Sequence, residues 1–145
     1  MAVNSFIGAV IAVSANTPAT VDGSGFAALT YTTVGLVTSF GAVGDSSEAI
    51  NYTTLAGRTY RLNGAKDGGE VQIGYAYESA GDSGQTIIKN GANGSTTHSF
   101  KITDPDGKIT YFHCLLANLQ HAERTPQNHK GMTFIARVNS PLVEV

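Results

Sequence analysis

The chain has no tryptophan, a single cysteine, four prolines and, over its first 57 residues, neither lysine nor arginine. With one cysteine no intramolecular disulfide can form. Cys114 sits among Phe112, Leu115 and Leu116, which marks it as a small buried hydrophobe and fits a reducing compartment. Charge is scarce as well, at 14% of residues against a typical ~25%. Together with 17 glycines, this excludes a highly charged disordered chain and suits a β protein with many turns. Long apolar runs are also missing. The stretch "FIGAVIAVSA" is shorter than the ~18 residues a membrane span requires. No positive charge precedes it and Met1 is in place, so a buried strand is expected in preference to a secretory leader, and no membrane binding.

At 145 residues the chain fits one domain, 1–145, able to bury about 70% of the surface its unfolded form exposes, without a disulfide or metal staple. The net charge of −2 provides no overall basic footprint for nucleic acid. Its distribution is uneven. Residues 1–57 hold Asp22, Asp45 and Glu48 against no base, a balance of −3; from Arg58 onward nine bases meet eight acids, a balance of +1.

Short strand-like pieces alternate with Gly, Asn, Asp and Pro, and no repeat of 20 to 50 residues is present. Ser5 to Ser14 is a continuous apolar run, expected as a strand covered on both faces. "ANTPATVDGSG" follows as a loop. Leu29 to Phe40 is β-branched and aromatic, a strand bent at Gly35. "GAVGDSSE" interrupts it and "AINYTTL" resumes the pattern, so a projecting loop or hairpin is expected at about 41–60. "EVQIGYAYE" places Val71, Ile73, Tyr75 and Tyr77 on one face of a half-buried strand. In "GDSGQTIIKNGANG", Asp82 or Ser83 caps one short helix that Asn90 and Gly91 stop. "DPDG" predicts a type I-based hairpin, with Pro105 at the first central position and Gly107 at the exit. Its arms would bring Phe100 and Ile102 against Ile109 and Tyr111. "NLQHAERTPQNHK" reads as a polar connection, and Met132 to Val138 as a last strand before Pro141.

The chemical candidates fail one by one. "GDSGQ" matches a serine-protease nucleophile signature, but the histidine must precede the serine in that arrangement and the first histidine is His98. His113, His121 and His129 stand eight apart, a spacing that fits neither one helix turn nor a finger, so even with Cys114 no metal site is expected. "DPDG" lacks the remaining ligands of a calcium loop. "GAKDGG" has neither phosphate-loop spacing nor the dinucleotide fingerprint. No carboxylate pair is singled out by its neighbours. No catalytic residue, cofactor or metal is expected; protruding, uncharged or acidic loops on a β domain suit a building block.

The succession "ALTYTTVGLVTSFG", "NGAKDGGEVQIGYAYE", "DSGQTIIKNGA", "FKITDPDGKITYFHCLL" and "KGMTFIARVNSP" resembles the major tail tube proteins of long-tailed, non-contractile bacteriophages, in that family's order, over roughly residues 27 to 141. The resemblance implies a mainly β fold, a β-sandwich or partial barrel with one short flanking α-helix, whose strands join a continuous barrel in a hexameric ring. Such rings stack into a tube that conducts DNA into the host, a virion part assembled in the bacterial cytoplasm. The implied partners are the chain itself, a tape-measure protein, and the tail initiator, distal tail and terminator proteins. DNA would pass without specific binding. No catalysis belongs to the family.

The resemblance also implies an inter-ring stacking loop bearing Gly41, Val43, Asp45, Glu48, Tyr52, Leu55, Arg58 and Tyr60, unordered before assembly. Lumen-facing candidates are Thr32, Thr38, Asp45, Glu48, Asn51 and Thr53. If the arms at 29–40 and 49–55 line the lumen, the absence of bases before Arg58 leaves DNA phosphates no cationic partner there. Phe100, Ile102, Pro105, Gly107, Ile109 and Tyr111 form a scaffold hairpin. Other expectations compatible with these residues are a tail terminator, a capsid decoration protein, a tube subunit of a contractile tail or secretion device, or a carbohydrate-binding β-sandwich using Tyr52, Tyr60, Tyr75 and Tyr77.

Overall fold

The computed structural model describes residue 3 and residues 5–145. It contains β1 (Val10–Ser14), α1 (Gly23–Ala27), β2 (Thr32–Thr33), β3 (Val37–Phe40), β4 (Ser46–Thr53), β5 (Thr59–Asp67), β6 (Glu70–Ala76), α2 (Ser83–Ala92), β7 (Thr97–Thr103), β8 (Ile109–His121), β9 (Gly131–Val138) and β10 (Val143–Glu144). An antiparallel sheet runs in the order β2-β1-β7-β8-β9-β6-β3, with β10 added to β8, while β4 and β5 form a separate two-stranded sheet. No helix among the described residues is long and apolar enough to cross a membrane.

The large sheet is a partial barrel. Phe40 on β3 lies 6.4 Å from Phe100 on β7, ring centre to ring centre. Four strand steps separate those strands in the sheet order, which in a flat sheet would be ~19 Å at ~4.8 Å per step. The edge strands are likewise joined by only Val34 to Leu36, so they end within ~14 Å of each other. Inside the curl, Phe100 stacks on Phe112 and on Phe134, and Phe40 meets Phe100 and Phe112 edge-on. Fully burying each such ring contributes ~2–3 kcal/mol. The Arg137–Glu70 ion pair, at least half exposed on both sides, contributes at most ~1 kcal/mol. Aromatic burial therefore holds the curl.

The helix α2 closes the concave face with Ile88. Asp82 caps it as expected, accepting the Gln85 N–H at 3.2 Å. It does not stop at Asn90 and Gly91 but continues to Ala92, capped at Asn93. Gly91 serves packing instead: a Cβ there would lie 2.6 Å from the His98 ring.

A second helix, α1, occupies part of the expected loop. Asp22 accepts the Gly25 N–H at 2.7 Å, and this bond is the first cause holding its carboxyl below the ordinary range. Phe26 is then buried on the convex face, stacked on Tyr111 at 5.4 Å. One buried ring in a glycine- and serine-rich stretch leaves no periodic signal to read.

Several expected boundaries shift. Only Val10–Ser14 of the first apolar run is strand, and Phe6 and Ile7 are exposed. Leu29 to Phe40 is not one bent strand: β2 pairs with β1, β3 pairs with β6, and the chain crosses between them through Leu36 at φ 60°. In β6, Val71, Ile73 and Tyr75 are buried as expected, but the strand ends at Ala76 and Tyr77 lies outside, under the Lys130 ammonium at 4.4 Å. The strand β8 runs on to His121 past a left-handed Asn118, so the polar connection shortens to residues 122–130.

The β7–β8 hairpin forms with a register one residue from expectation. Phe100 pairs with Phe112, Ile102 with Thr110, Thr103 with Ile109 and Lys101 with Tyr111. The Asp104 N–H donates to the Lys108 carbonyl, the Gly107 N–H donates to the Asp104 carbonyl, and Gly107 has φ 91°. That is a three-residue loop closing on a left-handed glycine, and its odd residue moves Ile109 and Tyr111 to the convex face.

Candidate functional site, an unpartnered hairpin

The projecting element expected at about 41–60 is a regular β-hairpin from Ser46 to Asp67, longer than expected because β5 pairs with β4 along its whole length. Its two strands are paired from Ser46–Asp67 at the base to Thr53–Thr59 near the tip. Eight residues of β4 give it a reach of about 26 Å. Every residue of β4, and every residue of β5 except Gly64, is exposed.

Its register sorts the side chains. Ile50 pairs with Leu62 and Tyr52 with Tyr60, so these four share one face, where the tyrosine rings stack at 5.5 Å. Ala49 pairs with Asn63, Asn51 with Arg61 and Thr53 with Thr59 on the other face, and the two threonine hydroxyls are 3.0 Å apart. By alternation along β4, Glu48 falls on the apolar face. All four apolar side chains are between 43% and 55% exposed. A two-stranded hairpin alone is at best marginal in water, and these four side chains leave an apolar stripe open on one of its faces.

The sequence-derived stacking residues divide accordingly. Tyr52, Tyr60 and Glu48 lie on the apolar face, Leu55 is at the tip, and the Arg58 guanidinium lies over the Tyr60 ring at 5.9 Å. Gly41 and Val43 belong instead to the body: the Gly41 N–H donates to the Gln72 carbonyl at 2.8 Å, and Val43 packs on the core. Asp45 stands at the hairpin base, in a groove with Lys66, Asp67 and Ser140.

The lumen-facing candidates do not share one surface. Thr32 and Thr38 are on opposite edge strands. Asn51 and Thr53 are on the polar face of the hairpin, away from Glu48. Arg61 lies directly across from Asn51, so that face carries a cation supplied by β5 although β4 contains none. The arms at 29–40 and 49–55 themselves contain no Lys or Arg, and β5 adds Arg61 beside the second of them. Arg61 went unselected because its neighbour across the ladder is set by tertiary register.

The rejected chemistry is placed as well. Ser83 opens α2 behind Asp82. Burial pushes the Cys114 thiol far up. His113 lies on the convex face near Phe26, and His98 is buried against the Thr96 carbonyl. His121 and His129 border one groove at the β8–β9 loop. Among the described residues no three metal-ligating side chains gather.

No protein-family model matches the chain, and no curated protein matches it. Solved structures do. The sheath/tube terminator of an extracellular contractile injection system (PVC), in its extended state, superimposes with a TM-score of 0.69 at 7% identity, covering 100% of this chain and 98% of that one. A chain of the anti-feeding prophage baseplate gives 0.68 at 9% identity, covering 100% and 95%. The SPP1 tail tube protein gives 0.65 at 11% identity, covering 94% and 75%. At such identities the likeness is one of fold.

Proposed function

We propose that this chain is a structural subunit that closes into rings and stacks into a tail tube. The observation that carries the proposal is the Ser46–Asp67 hairpin, whose apolar face of Ile50, Tyr52, Tyr60 and Leu62 is left about half exposed by the described residues. A second copy covers that face, and cyclic association satisfies the open ladders of β4 and β5 without leaving a growing edge. The fold shared with the SPP1 tail tube protein supports the same conclusion.

In its finer form, the assembly is a siphophage-type tube of hexameric rings, built in the host bacterial cytoplasm around a tape-measure protein. An initiator and distal tail protein begin it and a terminator ends it. Genomic DNA is ejected through the lumen. The chain needs no cofactor for this work and performs no catalysis.

A second possibility is favoured by one specific observation. The injection-system terminator matches this chain end to end, whereas the SPP1 tail tube match spans 75% of that protein. In this alternative the chain is a terminator, or a tube subunit of a contractile device. Negative-stain microscopy of the concentrated protein separates the two: long tubes of uniform width are expected for a tube subunit, single or paired rings for a terminator. Monomers that stay dispersed with preformed tube ends present would reject both.

A further inference from the structure

A second surface is formed by residues outside the Ser46–Asp67 hairpin. Between β8 and β9 the chain turns back over residues 122–130 and encloses an open groove of about 390 Å³, lined by His121, Ala122, Arg124, Thr125, Asn128, His129, Lys130 and Gly131. The volume lies in the lower range of small-ligand pockets. Two fixed cations, two imidazoles, a hydroxyl and an amide contribute to the lining, and no carboxylate does. Glu123, the acid of this loop, is not among the lining residues.

The groove is held in shape before any ligand arrives. The Asn128 side-chain amide donates to the Glu123 carbonyl at 2.8 Å, and the Asn128 N–H donates to the Thr125 carbonyl at 3.0 Å. The loop ends are fixed by the Ala122 N–H on the Gly131 carbonyl at 2.9 Å and the Tyr77 N–H on the Lys130 carbonyl at 2.8 Å. Tyr77 also positions the Lys130 ammonium, 4.4 Å from its ring centre. His129 folds over Gly131 so closely that a Cβ there would lie 3.0 Å from its Nε2. A preset groove with Arg124 and Lys130 in its lining and no carboxylate suits an anion whose charge is spread over several oxygens.

We infer that the β8–β9 groove is a binding site for a small, multiply charged oxyanion of the phosphate class. The phosphates of a nucleic acid share that chemistry, so the test includes both sources. The natural chain, labelled with 15N, is titrated with pyrophosphate at low ionic strength and, separately, with a short DNA duplex at equal phosphate concentration. Saturable amide shifts confined to residues 121–131 are expected with pyrophosphate. Arg124→Gln and Lys130→Gln should each weaken binding about tenfold, the effect of losing one charge-assisted hydrogen bond. Arg137→Gln, outside the groove and paired with Glu70, should leave it unchanged. Shifts spread over unrelated lysines, no saturation at millimolar pyrophosphate, or equal weakening by Arg137→Gln would overturn the assignment. Binding of the duplex without pyrophosphate would overturn it too.

Discussion

The side-chain amide of Gln85 donates to the carbonyl of Gly35, 50 residues earlier, at 2.9 Å. The same nitrogen donates to the Ala76 carbonyl at 3.0 Å, and the Gln85 Oε1 accepts the Glu78 N–H at 3.1 Å. Asp82, which caps α2, also accepts the Gly35 N–H at 2.9 Å. The first turn of α2 thereby pins the crossing between the two edge strands to the end of β6. That crossing includes Leu36 in a left-handed conformation, which costs about 1–2 kcal/mol unless neighbours enforce it.

Gln85→Leu keeps the volume and removes all three bonds. With Gln85 only 6% exposed, its abandoned partners face loss of about 1–3 kcal/mol each where water cannot reach them. Chemical denaturation should show a loss of at least ~2 kcal/mol with an unchanged m-value. An unaltered midpoint would mean the crossing is held by packing alone.

Gly91→Ala and Gly94→Ala should move stability in opposite directions. Helix propensity alone would favour alanine at Gly91 by about 1 kcal/mol, but its Cβ would meet His98 at 2.6 Å and Leu116 at 2.9 Å. Overpacking of that kind costs about 1–3 kcal/mol. An added Cβ at Gly94 meets nothing closer than 3.6 Å, and the stiffer unfolded chain should yield a gain of about 0.4–1 kcal/mol. Thermal melts of the two variants provide the comparison.

Burial lowers the basicity of His113, whose Nδ1 is buried without a partner. The fold therefore favours the neutral ring, and the unfolded chain binds the extra proton. Stability should fall as pH drops below the ordinary imidazole value of 6.5, and the loss should level off below the lowered native value. His113→Gln should show a smaller drop in melting temperature between pH 7.5 and 5.5. The same drop in the variant would assign the effect to other groups.

Tyr52→Asp and Leu62→Asp should leave the monomer nearly as stable as the natural chain, because both side chains are half exposed in it and surface changes usually stay within about 0.5 kcal/mol. Ring and tube formation, followed by electron microscopy, should be abolished. Normal assemblies from either variant would remove the hairpin's apolar face from the interface.

Cys114 should resist thiol reagents in the native protein, since burial suppresses the thiolate that reacts. Labelling should become rapid only in denaturant. Rapid native labelling would show that β8 opens locally.

What could be read in the sequence was decided by near neighbours. Asp82 caps α2 through a bond three residues away, the alternation of Val71, Ile73 and Tyr75 sets a buried face, and "DPDG" turns the chain by its own backbone preferences. Even there, the bulged glycine shifted the register by one residue, since three- and two-residue loops share much of their composition.

The candidate assembly surface was legible as a projection but not as a two-faced object. Tyr52 and Tyr60 were selected individually; that they stack on one side while Asn51 and Arg61 share the other follows from pairing across the turn. The sequence by itself determined the β character, the α2 cap and the "DPDG" turn, because each depends on composition or on residues a few positions apart. Only the tertiary structure decided that Leu29 to Phe40 splits between two edges and that the sheet curls until Phe40 meets Phe100. Those outcomes rest on contacts among residues distant in the chain, whose burial free energy exceeds local propensity and leaves no local pattern.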